Sequence, residues 1–210
     1  MEGKYDEKNQ DTDKRIKRSK DALKKATLSL MKEKELRSIS ITEIAERADF
    51  NRGTFYAHYK SKEDLLNEVV KEKMNGLIET LSASHVDIDI ILSDEVPHVA
   101  ISLFNHFWEN GDYYQLMLCQ NVSPGFQDYL CETINNHFLK NIQTELANPN
   151  NHINHEIHSY YAAYSILGII VYWFRNGLKY TPQYMAEQLV EITLNKPYKV
   201  TFKVPNRVNK

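Results

Sequence analysis

The sequence predicts an all-α fold of about nine helices, in which a three-helix domain with a helix-turn-helix precedes a larger helical domain. Apolar residues recur at spacings of three and four along most of the chain, which is the period of an amphipathic helix. Two predicted helices between Ser40 and Tyr59 are only about two turns long and are joined by a short turn. The one alternating stretch, Tyr198 to Val204, has no second strand to pair with, and we interpret it as an extended or disordered tail.

Composition and charge divide the chain into four segments. They are a disordered arm at residues 1–13, a helix-turn-helix domain at 14–66, a helical domain at 67–195 and a tail at 196–210. The net charge is −2, but residues 14–62 contain 14 Lys and Arg against 6 Asp and Glu. Positive charge concentrated at one end is typical of a protein that presents that end to DNA.

The sequence favours a cytoplasmic protein that is not an enzyme. Its first thirteen residues contain no apolar run of the kind found in signal peptides. Cys119 and Cys131 lack metal or redox spacing and are interpreted as buried side chains in a reducing compartment. The sequence contains no Gly-rich phosphate loop, nucleophile elbow or His-Glu-x-x-His motif, so neither catalysis nor a cofactor is predicted.

The first helix is predicted over residues 14–35. Ile16, Leu23 and Leu30 recur at intervals of seven and form an apolar stripe with the small residues between them. The opposite face carries the basic residues Arg15, Lys17, Arg18, Lys24 and Lys25. These charges could contact phosphates or could serve only solubility.

The helix-turn-helix is predicted from its caps. Ser40 and Glu43 form a capping box at the start of one short helix, and Asp49 ends that helix. Asn51 is a good cap for the next helix, which is predicted to run to about Tyr59. A helix of this length fits the major groove of DNA, although a solvated face of a small helical domain is the alternative.

The candidate DNA-binding side chains belong to the two short helices and the start of the fourth. Arginine can contact guanine or phosphate, small apolar groups can touch a thymine methyl, and tyrosine, histidine and lysine can bind phosphates. The candidates are Ser40, Thr42, Arg52, Gly53, Thr54, Tyr56, Ala57, His58 and Lys62.

The stretch from Ile44 to Ala48, followed by Arg52 to Leu66, resembles the N-terminal signature of the TetR/AcrR family of bacterial transcription regulators. The residues at the family spacing are Gly53, Phe55-Tyr56, His58-Tyr59, Lys62-Glu63 and Leu65-Leu66. One departure is Asp49, where the family usually has glycine. Because aspartate tolerates a left-handed backbone better than most residues, we expect the turn to form.

The resemblance implies a regulator that binds a palindromic operator as a homodimer and is released by an effector in its C-terminal domain. A repressor is expected. Two recognition helices would then lie roughly 34–36 Å apart, about one turn of DNA. In some relatives the C-terminal domain instead binds a protein partner or serves activation, and this alternative stays open.

Six further helices are predicted after the helix-turn-helix. Their ranges are 61 to about 84, Pro97 to Asn110, Asp112 to about Cys119, Phe126 to about Leu146, Ile153 to Asn176, and Thr181 to Asn195. The fourth helix is long enough to connect the two domains and is a candidate lever, with a weak point at Asn75-Gly76. Asp87 to Glu95 is a loop or a short helix. Asn110-Gly111 and Asn176-Gly177 are interpreted as helix C-caps.

The eighth helix is predicted to form a dimer interface. Ile157 to Phe174 contains no Asp, Glu, Lys or Arg, and its 18 residues are close to the shortest length that can span a membrane. However, the run holds polar residues and is the only one of its kind in the sequence. We therefore interpret it as a buried or dimer-forming helix, with Gly168 permitting close approach. The ninth helix, with Tyr184, Met185, Leu189 and Ile192, completes half of a four-helix interface.

An effector pocket and a metal site are further hypotheses for the C-terminal domain. Large aromatic residues in the middle of the chain suit either a core or a small-molecule pocket. The pocket candidates are Phe104, Phe107, Trp108, Tyr114, Phe138, Tyr161 and Tyr164. His152, His155 and His158 recur at intervals of three and could hold Zn²⁺ in a metal-sensing regulator, or could form only a polar helix start.

Overall fold

The computed structural model describes residues 3–83, 96–119, 125–137, 139 and 154–194, with side chains from residue 13 onward except at 137 and 194. Within these ranges the chain forms nine α-helices and one short 3-10 helix and contains no strand, which confirms the all-α prediction. The elements are α1 (Gly3–Met31), the 3-10 helix (Leu36–Ser38), α2 (Ile41–Arg47), α3 (Arg52–Tyr56), α4 (Lys62–Ala83), α5 (His98–Glu109), α6 (Gly111–Cys119), α7 (Phe126–His137), α8 (His155–Arg175) and α9 (Pro182–Leu194).

Helix α1 begins at Gly3, so the structure places helix where the sequence predicted a disordered arm at residues 1–13. These residues lack an apolar stripe, but lysine, glutamate and glutamine are good helix formers and no proline interrupts them. The predicted stripe is also shorter than expected. Leu23 and Leu30 are buried, whereas Ile16 is 42% exposed because the packing of α1 against the other helices ends near Ser19.

The three N-terminal helices and the start of α4 enclose a small core. Leu23, Ile44, Phe55 and Leu65 are fully buried there. The turn between α2 and α3 has Asp49 at φ 58°, and the Phe50 amide donates to the Ala45 carbonyl at 2.8 Å. The expectation that aspartate would take the left-handed position of the usual glycine is therefore confirmed.

Helix α4 joins the two domains. It packs against α1 in the N-terminal domain and against α5 and α7 in the C-terminal domain. Gly76 lies inside the continuous helix, so the predicted weak point causes no break. Polar contacts support the junction: Lys73 Nζ donates to Asn110 Oδ1 at 2.6 Å, and Lys32 Nζ lies 2.9 Å from Asp112 Oδ2.

The C-terminal core is aromatic. Helix α5 packs on α4 and α9, while α8 packs on α6 and α7. The large side chains that are fully buried between them are Phe104, Phe107, Tyr114, Trp173 and Phe174.

The two Asn-Gly pairs that were predicted to end helices behave differently. After α8, Gly177 has φ +67° and its amide donates to the Phe174 carbonyl at 3.0 Å, as expected of a C-cap. Asn110 is the C-cap of α5, as predicted for this pair, but Gly111 has no positive φ and begins α6, so the glycine takes no part in the cap. The α5–α6 connection needs no loop because Asn110 ends one helix and accepts the first bonds of the next.

Several predicted features lie outside the described residues. They are the loop or short helix at Asp87 to Glu95, the extension of α7 from 140 to 146, and the tail at 196–210.

Candidate nucleic-acid interface

The two short helices are capped as their sequences predict. The Glu43 amide donates to Ser40 Oγ at 3.2 Å, and the Ser40 amide donates to Glu43 Oε2 at 2.9 Å, which completes the capping box. Hydrogen bonds from Lys34 and then from Ser40 lower the pKa of Glu43 to about 2. Asn51 Oδ1 accepts from the Thr54 amide at 2.9 Å and opens α3. These caps fix the residues at which α2 and α3 begin.

The outer face of α3 and its C-cap carry four of the nine predicted DNA-binding residues. Arg52, Gly53, Tyr56 and Ala57 are exposed, and the Tyr56 ring is 51% exposed although it is a large aromatic group. The Arg52 guanidinium lies 5.9 Å from the centre of that ring, which places a cation and a phenol side by side. This pair can donate hydrogen bonds to bases or phosphates.

Three other candidates contribute less to this face. Ser40 is exposed, but its hydroxyl is already bonded to Glu43. Thr42 and Thr54 are half-buried, and the Thr54 hydroxyl bonds to Asn51 Oδ1 at 3.3 Å. Their methyl groups and partly exposed oxygens remain at the edge of the face.

His58 does not face outward as the sequence predicted. Its Nε2 atom lies 2.7 Å from Ser19 Oγ on α1, and the side chain is half-buried. Burial and then the positive charge of Lys20 lower the pKa of His58, so the ring is neutral near pH 7. Helix α3 ends at Tyr56, not near Tyr59, and the chain turns back toward α1 at this point.

Lys62 is also placed differently from the prediction. Its ammonium donates to three backbone carbonyls, those of Leu36 at 2.7 Å, Ile39 at 2.8 Å and Arg37 at 3.0 Å. All three N–H groups are therefore used inside the protein, and the residue ties the 3-10 helix to the start of α4. The sequence could not show this, because the carbonyls belong to residues more than 20 positions earlier.

An ionic cluster that sequence reasoning missed holds α1, α4 and the segment that follows α3 together. Glu68 accepts from Lys20 at 3.0 Å, lies 2.7 Å from Lys24 Nζ, and accepts from the Tyr59 hydroxyl at 3.3 Å. Glu72 also pairs with Lys24. Burial opposes the charged form of Glu68, but the two lysines outweigh it and lower its pKa. Lys24, predicted on the outer face of α1, is buried in this cluster.

The described residues that were predicted to line an effector pocket are divided between the buried core and the exposed surface. Phe104, Phe107 and Tyr114 are fully buried in the aromatic core, while Trp108 is half-exposed and stacks on Trp173. The two other described candidates, Tyr161 and Tyr164, project from the exposed side of α8. Phe138 lies outside the described residues. Helical spacing groups residues by face but does not tell which face is inside, which explains the error.

One side of α8 is an exposed apolar stripe. Ile157, Tyr161, Tyr164, Gly168 and Tyr172 follow one another at spacings of three and four, and all are exposed. A Cβ atom at Gly168 would have nothing within 4 Å. Of α9, Tyr184 and Ile192 are also exposed. Helix α8 is therefore not apolar and buried on every side, and its free face is available for another molecule.

The histidines predicted as a possible metal site start α8. His155 and His158 are exposed there, and His152 lies outside the described residues. In the parts of the chain that the structure describes, no group of three metal-binding side chains occurs. Across the same ranges, none of the helices has the length and apolar character that crossing a bilayer requires.

A capped helix-turn-helix on a helical body is the architecture of a DNA-binding transcription regulator. Two sequence profiles of one family match this chain, that of the tetR family of bacterial regulatory proteins at residues 23–69 and that of a TetR transcriptional regulator C-terminal region at residues 94–195. Together they span most of the chain. The chain belongs to the TetR family of transcription regulators, which are not enzymes.

Individual relatives agree with this assignment. The HTH-type transcriptional regulator YxbF of Bacillus subtilis is 25% identical over 195 residues, which is 92% of this chain and 49% of YxbF. YerO of the same organism is 27% identical over 110 residues, or 52% of this chain and 38% of YerO. The matched region thus spans half or less of the length of these relatives.

Solved structures share the fold. A TetR regulator from Streptococcus agalactiae superposes with a TM-score of 0.62 at 20% identity, covering 88% of this chain and 98% of that one. The dihydroxyacetone kinase operon activator DhaS superposes with a TM-score of 0.56 at 19% identity, covering 84% and 94%.

Proposed function

We propose that this protein regulates transcription by binding a palindromic operator as a homodimer, with one α3 in the major groove of each half-site. The observation that carries the proposal is the exposed Arg52–Tyr56 pair on a capped α3. Behind it, the Glu68 cluster joins the segment that follows α3 to α1 and α4, and the Lys62 contacts hold the 3-10 helix against the start of α4. Such a rigid support keeps two contact residues in position, which lowers the entropy lost on binding.

The exposed stripe of α8 supports the dimer. Large apolar side chains on one helix face cost free energy in water, and burying the same face of a second copy removes that cost. A two-fold arrangement brings the stripe of one protomer against that of its partner, with Gly168 allowing the helices to approach. A dimer also supplies two recognition helices for a palindrome.

Regulation by a small molecule and repression are the further parts of the proposal. Helix α4 packs against both domains, so a ligand that moves α5 or α7 would change the position of α3. The operon activator DhaS shares this fold, and activation is therefore the alternative outcome. A promoter fused to a reporter separates them: loss of the protein raises expression if it represses and lowers expression if it activates.

The operator is found by selecting genomic fragments that the purified protein retains. We expect the retained fragments to share an inverted repeat with half-sites about one DNA turn apart. A Tyr161→Glu variant, which places a charge in the α8 stripe, should be monomeric in sedimentation and should bind these fragments weakly. Retained fragments without any repeat, or a monomeric wild-type protein, would refute the dimeric part of the proposal.

A further inference from the structure

A collar of four basic side chains lies on one side of α1, just N-terminal to the point where Ser19 contacts His58. The collar consists of Lys14, Arg15, Lys17 and Arg18, and all four are exposed. Five successive residues cover more than one helical turn, so these cations point in several directions around the helix axis. At about 100° per residue the four cations span an arc of about 160°, and Ile16 and Ser19 lie on the remaining side of the helix, so a partner that approaches the basic side meets several cations at once.

The collar carries positive charge that no ion pair among the described side chains neutralises. The next two lysines along α1, Lys20 and Lys24, are paired with Glu68 and Glu72. In contrast, no ion pair joins a collar residue to any acid whose side chain the structure describes. The described acids closest in sequence are Asp13 and Asp21, and Asp21 lines a shallow groove with Lys14, Lys17 and Arg18.

The collar adjoins the C-terminal end of the recognition helix. Ser19 Oγ lies 2.7 Å from His58 Nε2, and it also lies 3.1 Å from the Arg15 carbonyl and 2.9 Å from the Ile16 carbonyl. His58 follows α3 by two residues. The Ser19 hydroxyl therefore connects the Arg15 backbone to the segment that follows α3.

The collar is also held in place by the helix that carries it. It lies in the interior of α1, which is 29 residues long, and not at a helix end that would fray. Ile16, in the middle of the collar, is 42% exposed, so this part of α1 stands clear of the protein core. A positively charged helix surface that is exposed and lies next to the recognition helix can bind the phosphates of DNA that contacts α3.

We propose that the α1 collar binds phosphates of the DNA strand that borders the groove occupied by α3. This inference rests on the proposed function, in which α3 enters that groove. It extends the DNA interface from the helix-turn-helix to α1. The collar contributes affinity that does not depend on sequence, because phosphates are the same at every site. Arg15 and Arg18 can each bind a phosphate with two parallel hydrogen bonds.

The test compares two triple variants that remove the same charge. The collar variant is Arg15→Gln, Lys17→Gln and Arg18→Gln, and the control is Lys32→Gln, Lys71→Gln and Lys179→Gln. All six positions are exposed, and glutamine keeps the helix propensity of lysine and arginine. Binding to a fluorescein-labelled mixed-sequence duplex of about three helical turns is measured by anisotropy at several salt concentrations, so no operator is needed.

The expected result concerns the slope of log binding constant against log salt concentration. The collar variant should lose about 0.9 of slope for each phosphate contact removed, so a total of about 2–3, while the control keeps the wild-type slope. A double variant Arg15→Lys and Arg18→Lys, which retains the charge, should keep most of the slope. Circular dichroism verifies that all variants are helical.

Two negative results have different meanings. If the wild-type protein binds the duplex and the collar and control variants have equal slopes, the collar does not touch DNA and the proposed function stands. If the wild-type protein does not bind any duplex even at low salt, the proposed function fails and the inference fails with it.

Discussion

The Tyr114 hydroxyl on α6 lies 3.0 Å from Nε2 of His106 on α5, and both side chains are buried. The other ring nitrogen, Nδ1, lies 3.4 Å from Thr80 Oγ1 on α4, and the Thr80 hydroxyl donates to the Gly76 carbonyl at 2.8 Å. This chain of contacts is satisfied when His106 is neutral, with its proton on Nδ1. A buried imidazole thus connects the helix that carries the DNA-binding domain to the C-terminal core.

Protonation of His106 should destabilise the fold. Burial, and then the charge of Lys73, lower its pKa from 6.5 to about 4. Between pH 6.5 and about pH 4, His106 is protonated in the unfolded chain but remains neutral in the folded protein. Its contribution to the free energy of unfolding is therefore complete above pH 6.5 and is lost as the pH falls toward 4. The unfolding free energy from urea titrations should fall by up to about 1.4 kcal/mol per pH unit in this window. His106→Gln should remove that part of the slope, while His98→Gln at an exposed site should retain it.

Glu68 should be the main contributor to the ionic cluster behind α3. A Glu68→Gln change keeps the shape but leaves the largely buried Lys24 with a weaker partner, so we expect a loss of about 1–3 kcal/mol in unfolding free energy. Glu72→Gln is the matched control. Because Glu72 is 56% exposed, its removal should cost less than about 1 kcal/mol. Equal losses in urea titrations would contradict the role assigned to Glu68.

Lys62 should stabilise the N-terminal domain without contacting DNA. Lys62→Met leaves three carbonyls without their donor and should lower the unfolding free energy by about 1–3 kcal/mol. The salt dependence of DNA binding should stay as in the wild type. The exposed Lys60→Met change should leave stability unaltered. The assignment is wrong if Lys62→Met folds with full stability and loses about 0.9 of the salt slope, which is one phosphate contact.

Gly168 should matter only in the dimer. A leucine there has free space in the protomer and a higher helix propensity, so folding should not suffer. In a dimer the same side chain separates the two α8 helices, at a cost of about 1–3 kcal/mol. Sedimentation velocity over a concentration series should show weaker association for Gly168→Leu and wild-type behaviour for Asn67→Leu on α4. Unchanged association would place the dimer interface elsewhere.

Local patterns predicted the fold well because local forces determine the features concerned. The capping box at Ser40 and Glu43, the cap at Asn51 and the left-handed Asp49 each depend on residues within a few positions of one another. The apolar period identified the helices that pack into a core. Each of these signals can be recognised from residues that are close in sequence, without knowledge of the tertiary structure.

Long-range contacts could not be predicted in the same way. His58 and Lys62 were expected to face DNA, but their partners are Ser19 on α1 and backbone carbonyls near the 3-10 helix. The N-terminal part of α1 has no apolar period, so only its composition favours helix. The aromatic residues of the C-terminal domain divide between a buried core and an exposed face, and helical spacing alone does not distinguish the two.

The account depends most on contact between the outer face of α3 and duplex DNA. Anisotropy titrations with a selected genomic fragment test this directly, using Arg52→Ala and Tyr56→Ala with Lys71→Ala as the control. We expect each α3 variant to lose about 1–3 kcal/mol of binding free energy, with all three proteins folded and the control unchanged. Wild-type affinity in both α3 variants would contradict the central claim.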